Sequence, residues 1–391
     1  MFISIVIPCL NESETIQKCI AAAKDGILSS GVQGEIIVAD NGSTDGSQAL
    51  SRGAGAIVVD VMEKGYGNAL RAGIEAASGD FIVMGDADAS YDFREVPRFA
   101  RVAEKGFDLV MGCRMPSGGG IIAPGAMPWK NRYIGNPVLS LIGRVLFQAP
   151  ITDFHCGLRG FTKDAYRRMQ LNTGGMEFAS EMVIKATLHG MRIAEVPITL
   201  HKDGRSRPPH LKPWRDGWRH LRFMLLFSPT WLFLMPGTVL TLLGVFFFIP
   251  LCFTPIPIGS AYLDTNSLML FGLQVLLGLQ LCSFGVFART FAIVDGFLPT
   301  SNRLRFFFRL FSLEKGLILG GLMLLGGFGL IASAFLWWRS VGYGALPYAD
   351  SIRLVAPGIF LTTAGVQVIF SSFLLSILGI QRKLSSLFDN D

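Results

Sequence analysis

Two patterns of apolar and polar positions divide the chain. Up to about residue 227, short apolar runs alternate with segments in which apolar residues recur every three or four positions. Unbroken apolar runs of this length are typical of strands that are buried on both faces. The pattern predicts four strands, at residues 2–7, 35–39, 56–59 and 81–84.

Helices are predicted between these strands. Asn11 followed by Glu14 has the spacing of a capping box, which predicts a helix over residues 12–25. A short helix is predicted to begin at Thr44 or Asp45, and another to cover residues 68–77. The alternation of strands and helices predicts an α/β domain with a mostly parallel, Rossmann-like sheet that has helices on both sides.

After residue 227 the chain has long stretches without charged residues. Four of them reach the roughly 20 apolar residues that a bilayer-spanning helix needs, at residues 230–253, 267–288, 316–338 and 354–380. Core helices of a soluble protein are the alternative, but such helices rarely run this long without a charge. Composition agrees with spanning helices, because only 16% of residues are charged, against about 25% in an average soluble domain.

Lysine and arginine predict the orientation, since cytoplasmic loops carry them in excess. The first connection between the predicted spans has none, and the third has only Arg339 and Arg353 at its edges. The second connection and the tail are basic, with Arg289, Arg303, Arg305, Arg309, Lys315, Arg382 and Lys383. The pattern predicts an integral protein of the cytoplasmic (inner) membrane whose N-terminal domain and C-terminus are cytoplasmic.

Other classes of protein find little support. Residues 2–7 lack the basic segment that precedes a signal peptide core. The six cysteines show no CxxC spacing, so neither a zinc site nor a disulfide framework is indicated. The pI near 9.0 reflects basic residues beside the membrane half, which favours anionic lipid or phosphate over nucleic acid as a partner.

Polar clusters follow each of the four predicted strands. They are Pro8-Cys9-Leu10-Asn11-Glu12, Asp40-Asn41-Gly42-Ser43, Glu63-Lys64-Gly65-Tyr66-Gly67 and Asp86-Ala87-Asp88. Sheets of this class bind ligands at the carboxyl ends of their strands. No GxGxxG follows the first strand and no GxxxxGK[ST] is present, so dinucleotide-binding and P-loop functions lose support.

The stretch GDADASYD holds three carboxylates, Asp86, Asp88 and Asp92. An isolated Asp-x-Asp is more often a turn than a metal site. Here the i, i+2 spacing places Asp86 and Asp88 on one side of an extended segment. A hard dication would relieve the repulsion between two such carboxylates and would bind their oxygen atoms.

Three segments, IVIPCLNESETI, IIVADNGSTDGS and GDFIVMGDADAS, resemble in order and spacing the family 2 glycosyltransferases of GT-A fold. The later segments TDFHCGLRGFTKDAY and AEVPITLHKDGRSR are similar to those of polyprenyl-phosphate sugar synthases, such as dolichyl-phosphate mannose synthase. The resemblance covers about 210 residues. It implies a GT-A domain at 1–210. The pattern of apolar and charged residues predicts the rest of the chain, an interfacial helix at 211–228 and an all-α transmembrane domain of four helices at 229–391.

The resemblance implies a donor site for a nucleotide sugar. Asp86 and Asp88 would hold Mg²⁺ or Mn²⁺, with Ser90 at the position where the family often has a glutamine ligand. Pro8, Leu10, Glu12, Asp40, Lys64 and Ala87 would bind the nucleotide sugar. Plainer roles stay open: Glu12 as an acid in the first turn of a helix, Asp40 in an Asx turn, and Lys64 as a solvated side chain.

The acceptor side of the site needs cations for a lipid phosphate. The resemblance implies Arg114, Arg132, Arg205 and Arg207, although attraction to the membrane surface is an alternative for each. Asp153 would orient the sugar or the acceptor, and Asp88 or Asp153 is the candidate if a base assists. Glu177 and Glu181 could bind sugar hydroxyl groups or form a solvated helix face.

The segment WRDGWRHLRFMLLF joins the two halves of the chain. At 100° per residue, one stripe holds Trp214, Trp218, Leu221 and Leu225, and the adjoining stripe holds Arg215, Arg219 and Arg222. Aromatic side chains at headgroup level and arginines near lipid phosphates are typical of a helix that lies on a membrane.

Three functions follow as hypotheses. The leading one is inverting transfer of a hexose, from a nucleotide sugar of UDP-glucose or GDP-mannose type, to a polyprenyl phosphate. A processive polysaccharide synthase of the same fold is an alternative, although its Q-x-x-R-W motif is absent. A lipid-linked sugar transporter or membrane scaffold with a degenerate nucleotide-binding domain is another. The transmembrane helices could also support a homo-oligomer.

Overall fold

The computed structural model describes residues 1–206, 213–294, 298 and 312–388, and within these ranges the side chains of 213, 214 and 379–388 lie outside the description. The chain forms two compact units, Met1–Met224 and Leu225–Asp391. Each unit is described by itself. The boundary between them falls inside a helix that precedes the first long apolar segment.

A seven-stranded sheet organises the first unit, in the order β3-β2-β1-β4-β7-β5-β8. Neighbouring strands are parallel, except that β7 is antiparallel to both β4 and β5. The strands are β1 (Phe2–Cys9), β2 (Gln33–Asp40), β3 (Ile57–Asp60), β4 (Phe81–Met84), β5 (Leu109–Cys113), β7 (Arg159–Thr162) and β8 (Ile193–Pro197). A separate parallel pair joins β6 (Ile121–Ile122) to β9 (Thr199–Leu200). The mostly parallel, Rossmann-like sheet and all four predicted strands are confirmed.

Eight α-helices accompany these strands in the described part of the first unit, and the last of them extends past its end at Met224. They are α1 (Ile16–Ser30), α2 (Ser47–Gly53), α3 (Tyr66–Ala76), α4 (Val96–Ala103), α5 (Asn136–Phe147), α6 (Lys163–Met169), α7 (Phe178–Leu188) and α8 (Pro213–Leu226). The core between helices and sheet is apolar, with β4 buried along its whole length.

The predicted helix start at Asn11 is wrong. Helix α1 begins at Ile16, and Asn11 has a left-handed backbone with φ of 57°. Its Oδ1 accepts a hydrogen bond from the Thr44 amide at 2.8 Å, so the side chain closes a turn against the next strand end. Glu14, the second member of the expected capping box, accepts hydrogen bonds from the Ser206 amide and hydroxyl instead. Tertiary contacts therefore override the local capping pattern.

The second unit contains four helices long and apolar enough to span a membrane, as predicted. They are Thr230–Leu251, Thr265–Val294, Leu313–Ser340 and Tyr348–Leu378. A short antiparallel hairpin, Ile256–Ile258 with Ala261–Leu263, lies in the connection between the first and second of them. The basic residues Arg303, Arg305 and Arg309 of the second connection lie outside the described residues.

Glycines bring these long helices close together. A Cβ added at Gly237 would lie 2.9 Å from the Gly278 carbonyl oxygen, and one at Gly327 would lie 2.7 Å from the Gly358 carbonyl oxygen. Small residues at helix crossings are typical of membrane proteins, where packing must replace the hydrophobic effect. The unit is therefore built as a transmembrane helix bundle.

Candidate active site

A pocket of about 720 Å³ opens in the first unit at the carboxyl ends of β1 and β4. Seven of the residues predicted to bind the nucleotide sugar or the metal line it: Pro8, Leu10, Glu12, Lys64, Asp86, Ala87 and Asp88. The rest of the wall includes Tyr66, the loop 174–177, Arg205 and three residues of α8, Arg215, Asp216 and Arg219. The parallel sheet thus brings together side chains that are far apart in the sequence, as the strand-end rule predicts.

The acids after β4 lie in the pocket. The Tyr66 hydroxyl donates a hydrogen bond to Oδ1 of Asp86 at 2.9 Å. Burial raises the pKa of Asp86 to about 6, and the negative charge of Asp88 adds to the rise. The repulsion between the carboxylates of Asp86 and Asp88 is unfavourable unless a cation binds near them. The pair therefore favours a positively charged ligand.

Arg205 supplies positive charge to this acidic cluster in the structure. Its guanidinium contacts Oδ2 of Asp88 at 2.8 Å and Oε1 of Glu12 at 3.0 Å. Asp203, two residues earlier, lies 3.5 Å from the same guanidinium. Arg205 was expected on the acceptor side, but in the structure its guanidinium contacts Glu12 and Asp88, which were expected on the donor side.

The residues present fit a divalent cation that is completed by a substrate. Asp86 and Asp88 offer two carboxylates, and Mg²⁺ is commonly bound by one or two carboxylates together with phosphate oxygens and water. Among the described residues no cluster of three His, Cys, Asp or Glu side chains could enclose an ion alone. The Ser90 amide donates to Oδ1 of Asp88 at 3.0 Å, which orients Asp88; ligation by the Ser90 hydroxyl stays a prediction.

Asp40 does not line the pocket, although the next residue, Asn41, does, and Asp40 is fully buried. Its Oδ2 accepts hydrogen bonds from the amides of Gly42 and Ser43 and from the Gln48 side chain. Burial alone would raise the pKa of Asp40, but these hydrogen bonds hold it below the usual value. The plainer role, an Asx turn, is therefore present. Its Oδ1 is buried and takes no hydrogen bond from the described residues.

Two glycine-containing loops meet at the pocket. Lys64 donates from Nζ to the Asn41 carbonyl at 2.6 Å, which ties the first loop to the end of β2. A Cβ at Gly65 or Gly67 would collide with carbonyl oxygens of residues 173 and 174 in the second loop. Only glycine allows the two backbones to approach this closely.

Glu181 holds the second loop in place. Its carboxylate accepts hydrogen bonds from the amides of Asn172 and Thr173 and from the Thr173 hydroxyl at 2.7 Å. Lys185, one helical turn on, contacts the same carboxylate at 2.9 Å, and both side chains are almost completely buried. Glu181 therefore supports the pocket wall, and neither expected role, sugar contact nor solvated face, describes it.

Arg114 and Asp153 form a buried ion pair. The guanidinium contacts Oδ2 and Oδ1 of Asp153 at 2.7 and 2.9 Å, and the Arg114 amide donates to Oδ2 at 3.0 Å. Asp153 is inaccessible to solvent, and neither residue lines the pocket. Burial by itself would raise the pKa of Asp153, but Arg114 holds it below the usual value. In the structure the pair is thus a buried contact outside the pocket, and the predicted roles of Arg114 as acceptor ligand and of Asp153 as orienting residue or base stay predictions.

Arg132 lines a different cavity of about 560 Å³, together with Arg144, Ser117 and Thr152. Exposed apolar side chains lie beside it on the same stretch of chain, among them Tyr133, Ile134 and Val138. Arg207 lies outside the described residues. Three of the arginines predicted for the acceptor lie within the described residues. Arg114 and Arg132 do not line the pocket, and Arg205 lines it but is paired with Glu12 and Asp88.

Helix α8 contributes a wall of the pocket that the sequence analysis missed. Its basic stripe was expected to point toward lipid, yet Arg215 and Arg219 line the pocket. The helix is held by His220, whose Nδ1 and the Ser180 hydroxyl lie 2.9 Å apart and whose ring lies 4.9 Å from that of His155. Trp218 of the apolar stripe is 59% exposed, and the position of this helix on a membrane stays a prediction. The i, i+4 spacing of Arg215 and Arg219 was the signal available in the sequence.

Fold and pocket together define a class. A mostly parallel sheet with paired aspartates after its fourth strand, followed by four helices long and apolar enough to span a membrane, is the arrangement expected of a membrane glycosyltransferase of GT-A fold. Family models agree: the Glycosyl transferase family 2 model matches residues 4–169, and the model of the family 2 C-terminal transmembrane region matches residues 286–379. The chain belongs to glycosyltransferase family 2.

Two curated relatives support this assignment, one of them over almost the whole chain. The low-salt glycan biosynthesis hexosyltransferase Agl6 of Haloferax volcanii is 37% identical over 96% of this chain and 89% of its own length. A dolichyl-phosphate hexose transferase of the same organism is 28% identical, covering 55% of this chain and 89% of that protein. Among solved structures, glucosyl-3-phosphoglycerate synthase from Mycobacterium tuberculosis, in complex with Mn²⁺ and UDP-glucose, is 23% identical with a TM-score of 0.44. It covers 57% of this chain and 77% of that one.

Proposed function

We propose that this glycosyltransferase moves a hexose from a nucleotide sugar to a polyprenyl phosphate at the cytoplasmic face of the membrane, with Mg²⁺ or Mn²⁺ as cofactor. One observation carries the proposal: a single pocket contains the acids of the donor site and the arginines of the helix that leads into the first spanning segment. The relatives named as hexosyltransferase and dolichyl-phosphate hexose transferase support the choice of sugar and acceptor class.

The donor would occupy the strand-end side of the pocket. Pro8 and Leu10 offer an apolar surface for the nucleoside, and Asn41, next to the buried Asp40, lines the same pocket. Asp86 and Asp88 would hold the metal, with Tyr66 fixing the orientation of Asp86. A bound divalent cation would stabilise the negative charge that develops on the departing nucleotide diphosphate.

The acceptor phosphate is itself the nucleophile. A phosphate oxygen attacks the anomeric carbon of the sugar, the bond to the nucleotide diphosphate breaks, and the configuration at that carbon inverts. A phosphate monoester is already anionic at neutral pH, so the protein has to position it and exclude water rather than remove a proton. This fits the position of Asp153, which is buried against Arg114 and does not line the pocket.

Product analysis tests the proposal. The full-length protein in proteoliposomes, given a polyprenyl phosphate, Mn²⁺ and labelled UDP-glucose or GDP-mannose, should yield a lipid that carries one sugar. Asp88→Asn should abolish this product. Asp92→Asn is the matched control, because Asp92 lies in the same stretch but pairs with Arg94 at 2.9 Å outside the pocket. Long polymer in place of a one-sugar lipid would instead support a processive synthase.

The proposed orientation has its own test. Glu104 is exposed in the catalytic unit, and Ser260 is exposed in the connection between the first two spanning helices. An impermeant maleimide should label Glu104→Cys in inverted vesicles and Ser260→Cys in right-side-out vesicles. The reverse pattern would place the catalytic unit outside the cytoplasm. Assembly of a homo-oligomer through the spanning helices stays a prediction.

A further inference from the structure

We infer that Arg215 and Arg219 of α8 bind the phosphate group of the lipid acceptor. The inference rests on the proposed function and names the ligand of one wall of the same pocket. Both arginines line the pocket that holds Asp86 and Asp88. Because they are one helical turn apart, their side chains lie on the same face of the helix.

These guanidinium groups retain hydrogen-bonding capacity that Arg205 and Arg114 have already used in short ion pairs. Arg205 is engaged by Asp88 and Glu12 at 2.8 and 3.0 Å, and Arg114 by Asp153 at 2.7 Å. In the described part of the chain, Arg215 and Arg219 make only long ion pairs, of 3.8 to 4.0 Å, with Asp216 and Glu177. Their side chains are 63% and 42% exposed.

The carboxylates of Asp216 and Glu177 also line this wall of the pocket. Asp216 is buried and Glu177 is partly buried, so they cannot turn away into solvent. At 4 Å they attract the guanidinium groups toward the wall without satisfying the N–H donors. Phosphate oxygens would offer each guanidinium the short, bidentate contacts that these carboxylates do not.

Chain connectivity explains why the ligand is the lipid phosphate rather than the nucleotide. Helix α8 ends at Leu226 and the first spanning helix begins at Thr230. An extended chain of this length reaches about 14 Å, so the end of α8 stays within that distance of a membrane-spanning segment. The nucleotide is soluble, and the acids and glycines at the strand ends are the residues proposed to bind it. The polyprenyl chain, in contrast, can enter only from the bilayer.

The experiment measures the KM of both substrates for the full-length protein in nanodiscs. Arg215→Gln and Arg219→Gln should each raise the KM for polyprenyl phosphate about tenfold or more, because each removes a charge-assisted hydrogen bond. The donor KM should stay within about twofold of wild type. Arg215→Lys and Arg219→Lys should recover part of the loss, since lysine keeps the charge without the bidentate geometry.

Arg222→Gln is the matched control, since Arg222 is exposed on the same helix but does not line the pocket. It removes the same charge near the membrane and should leave both KM values unchanged. Equal effects of the Arg222, Arg215 and Arg219 variants would mean general attraction to anionic lipid and would overturn the inference. A rise in donor KM instead would assign the arginines to the nucleotide.

Failure of the inference is distinguishable from failure of the proposed function. If wild-type protein forms a one-sugar lipid and the acceptor KM is insensitive to Arg215 and Arg219, only the inference falls. If wild-type protein binds UDP or GDP with Mn²⁺ but glycosylates no polyprenyl phosphate, both fall. Binding of UDP or GDP also reports whether each variant is folded.

Discussion

We expect the charged carboxylate of Asp86 to destabilise the protein when no metal is bound. The variant Asp86→Asn should show the size of this effect. Burial and the neighbouring Asp88 raise the pKa of Asp86 to about 6 from an ordinary value of 3.8. In the unfolded chain the group ionises at its ordinary pKa, so between these two values the folded state holds a proton that the unfolded state has lost. Stability therefore falls as pH rises through this window, and the full cost is present at pH 7.

The magnitude follows from the difference in pKa. Each unit corresponds to 1.36 kcal/mol, so the charged carboxylate costs about 3 kcal/mol at pH 7 without metal. Asp86→Asn removes the charge while its amide oxygen can still accept the hydrogen bond from Tyr66. At about 2–4 °C per kcal/mol for a unit of this size, the variant should unfold roughly 6–12 °C above wild type.

Thermal unfolding of the full-length protein in EDTA measures this difference. In a separate experiment without EDTA, UDP and Mn²⁺ should raise the midpoint temperature of one unfolding transition of the wild type, and this identifies the transition of the catalytic unit. The gap between Asp86→Asn and wild type should be largest above pH 6 and should shrink as pH falls toward 4. The explanation would be wrong if Asp86→Asn were no more stable than wild type at pH 7. It would also be wrong if the difference in unfolding temperature between the two proteins did not change with pH.

Asp92→Asn supplies a control of opposite sign. Burial tends to raise the pKa of Asp92, but hydrogen bonds from the Arg94 side chain and amide hold it below the usual value. Its carboxylate therefore stabilises the fold at neutral pH, and that contribution is lost as pH falls through its pKa. Asp92→Asn should accordingly unfold at a lower temperature at pH 7, and its deficit should diminish in acid.

Three further variants probe the supports of the pocket. Gly67→Ala should raise the donor KM about tenfold, because its Cβ would meet the backbone of residues 173–175. Gly53 has open space around it, so Gly53→Ala should leave the donor KM unchanged. Equal donor KM values for both variants would contradict a role for the contact between the two loops. Arg114→Gln should cost about 3–5 kcal/mol of unfolding free energy, because it leaves a buried carboxylate unpaired. The double replacement of Arg114 and Asp153 by Met and Leu should restore part of that loss in thermal unfolding. Arg205→Gln should tighten Mn²⁺ binding measured without nucleotide, because it removes a cation from the donor acids; weaker binding would show that Arg205 supports the metal instead.

The strands and the spanning helices could be predicted because their signals are local. A strand buried on both faces is an unbroken apolar run, and β4 was predicted to the residue. A spanning helix is recognised by length and lack of charge. Once the strands were placed, the parallel sheet fixed where Pro8, Glu12 and Asp86 would meet, and the structure brings them to one pocket.

The pairing of charged side chains could not be predicted in this way. Arg114 and Asp153 are 39 residues apart, and Arg205 and Glu12 are 193 apart. Nothing local in the sequence indicates that Asp153 is enclosed and Arg205 is drawn to the donor acids. The start of α1 failed for the same reason, because Asn11 and Glu14 bond to residues 44 and 206 rather than to their own helix.

The arginines show how this limit affects a functional assignment. A motif selects residues that a chain shares with its relatives, and a side chain can be shared because it supports the site as well as because it touches a substrate. Burial separates the two cases: Arg114 is almost fully buried on Asp153, whereas Arg215 is 63% exposed at the pocket wall. An arginine that already has short contacts to carboxylates must lose them before it can bind a phosphate. The arginines of α8 do not incur that cost, so residues outside the recognised motifs are the stronger candidates for the acceptor.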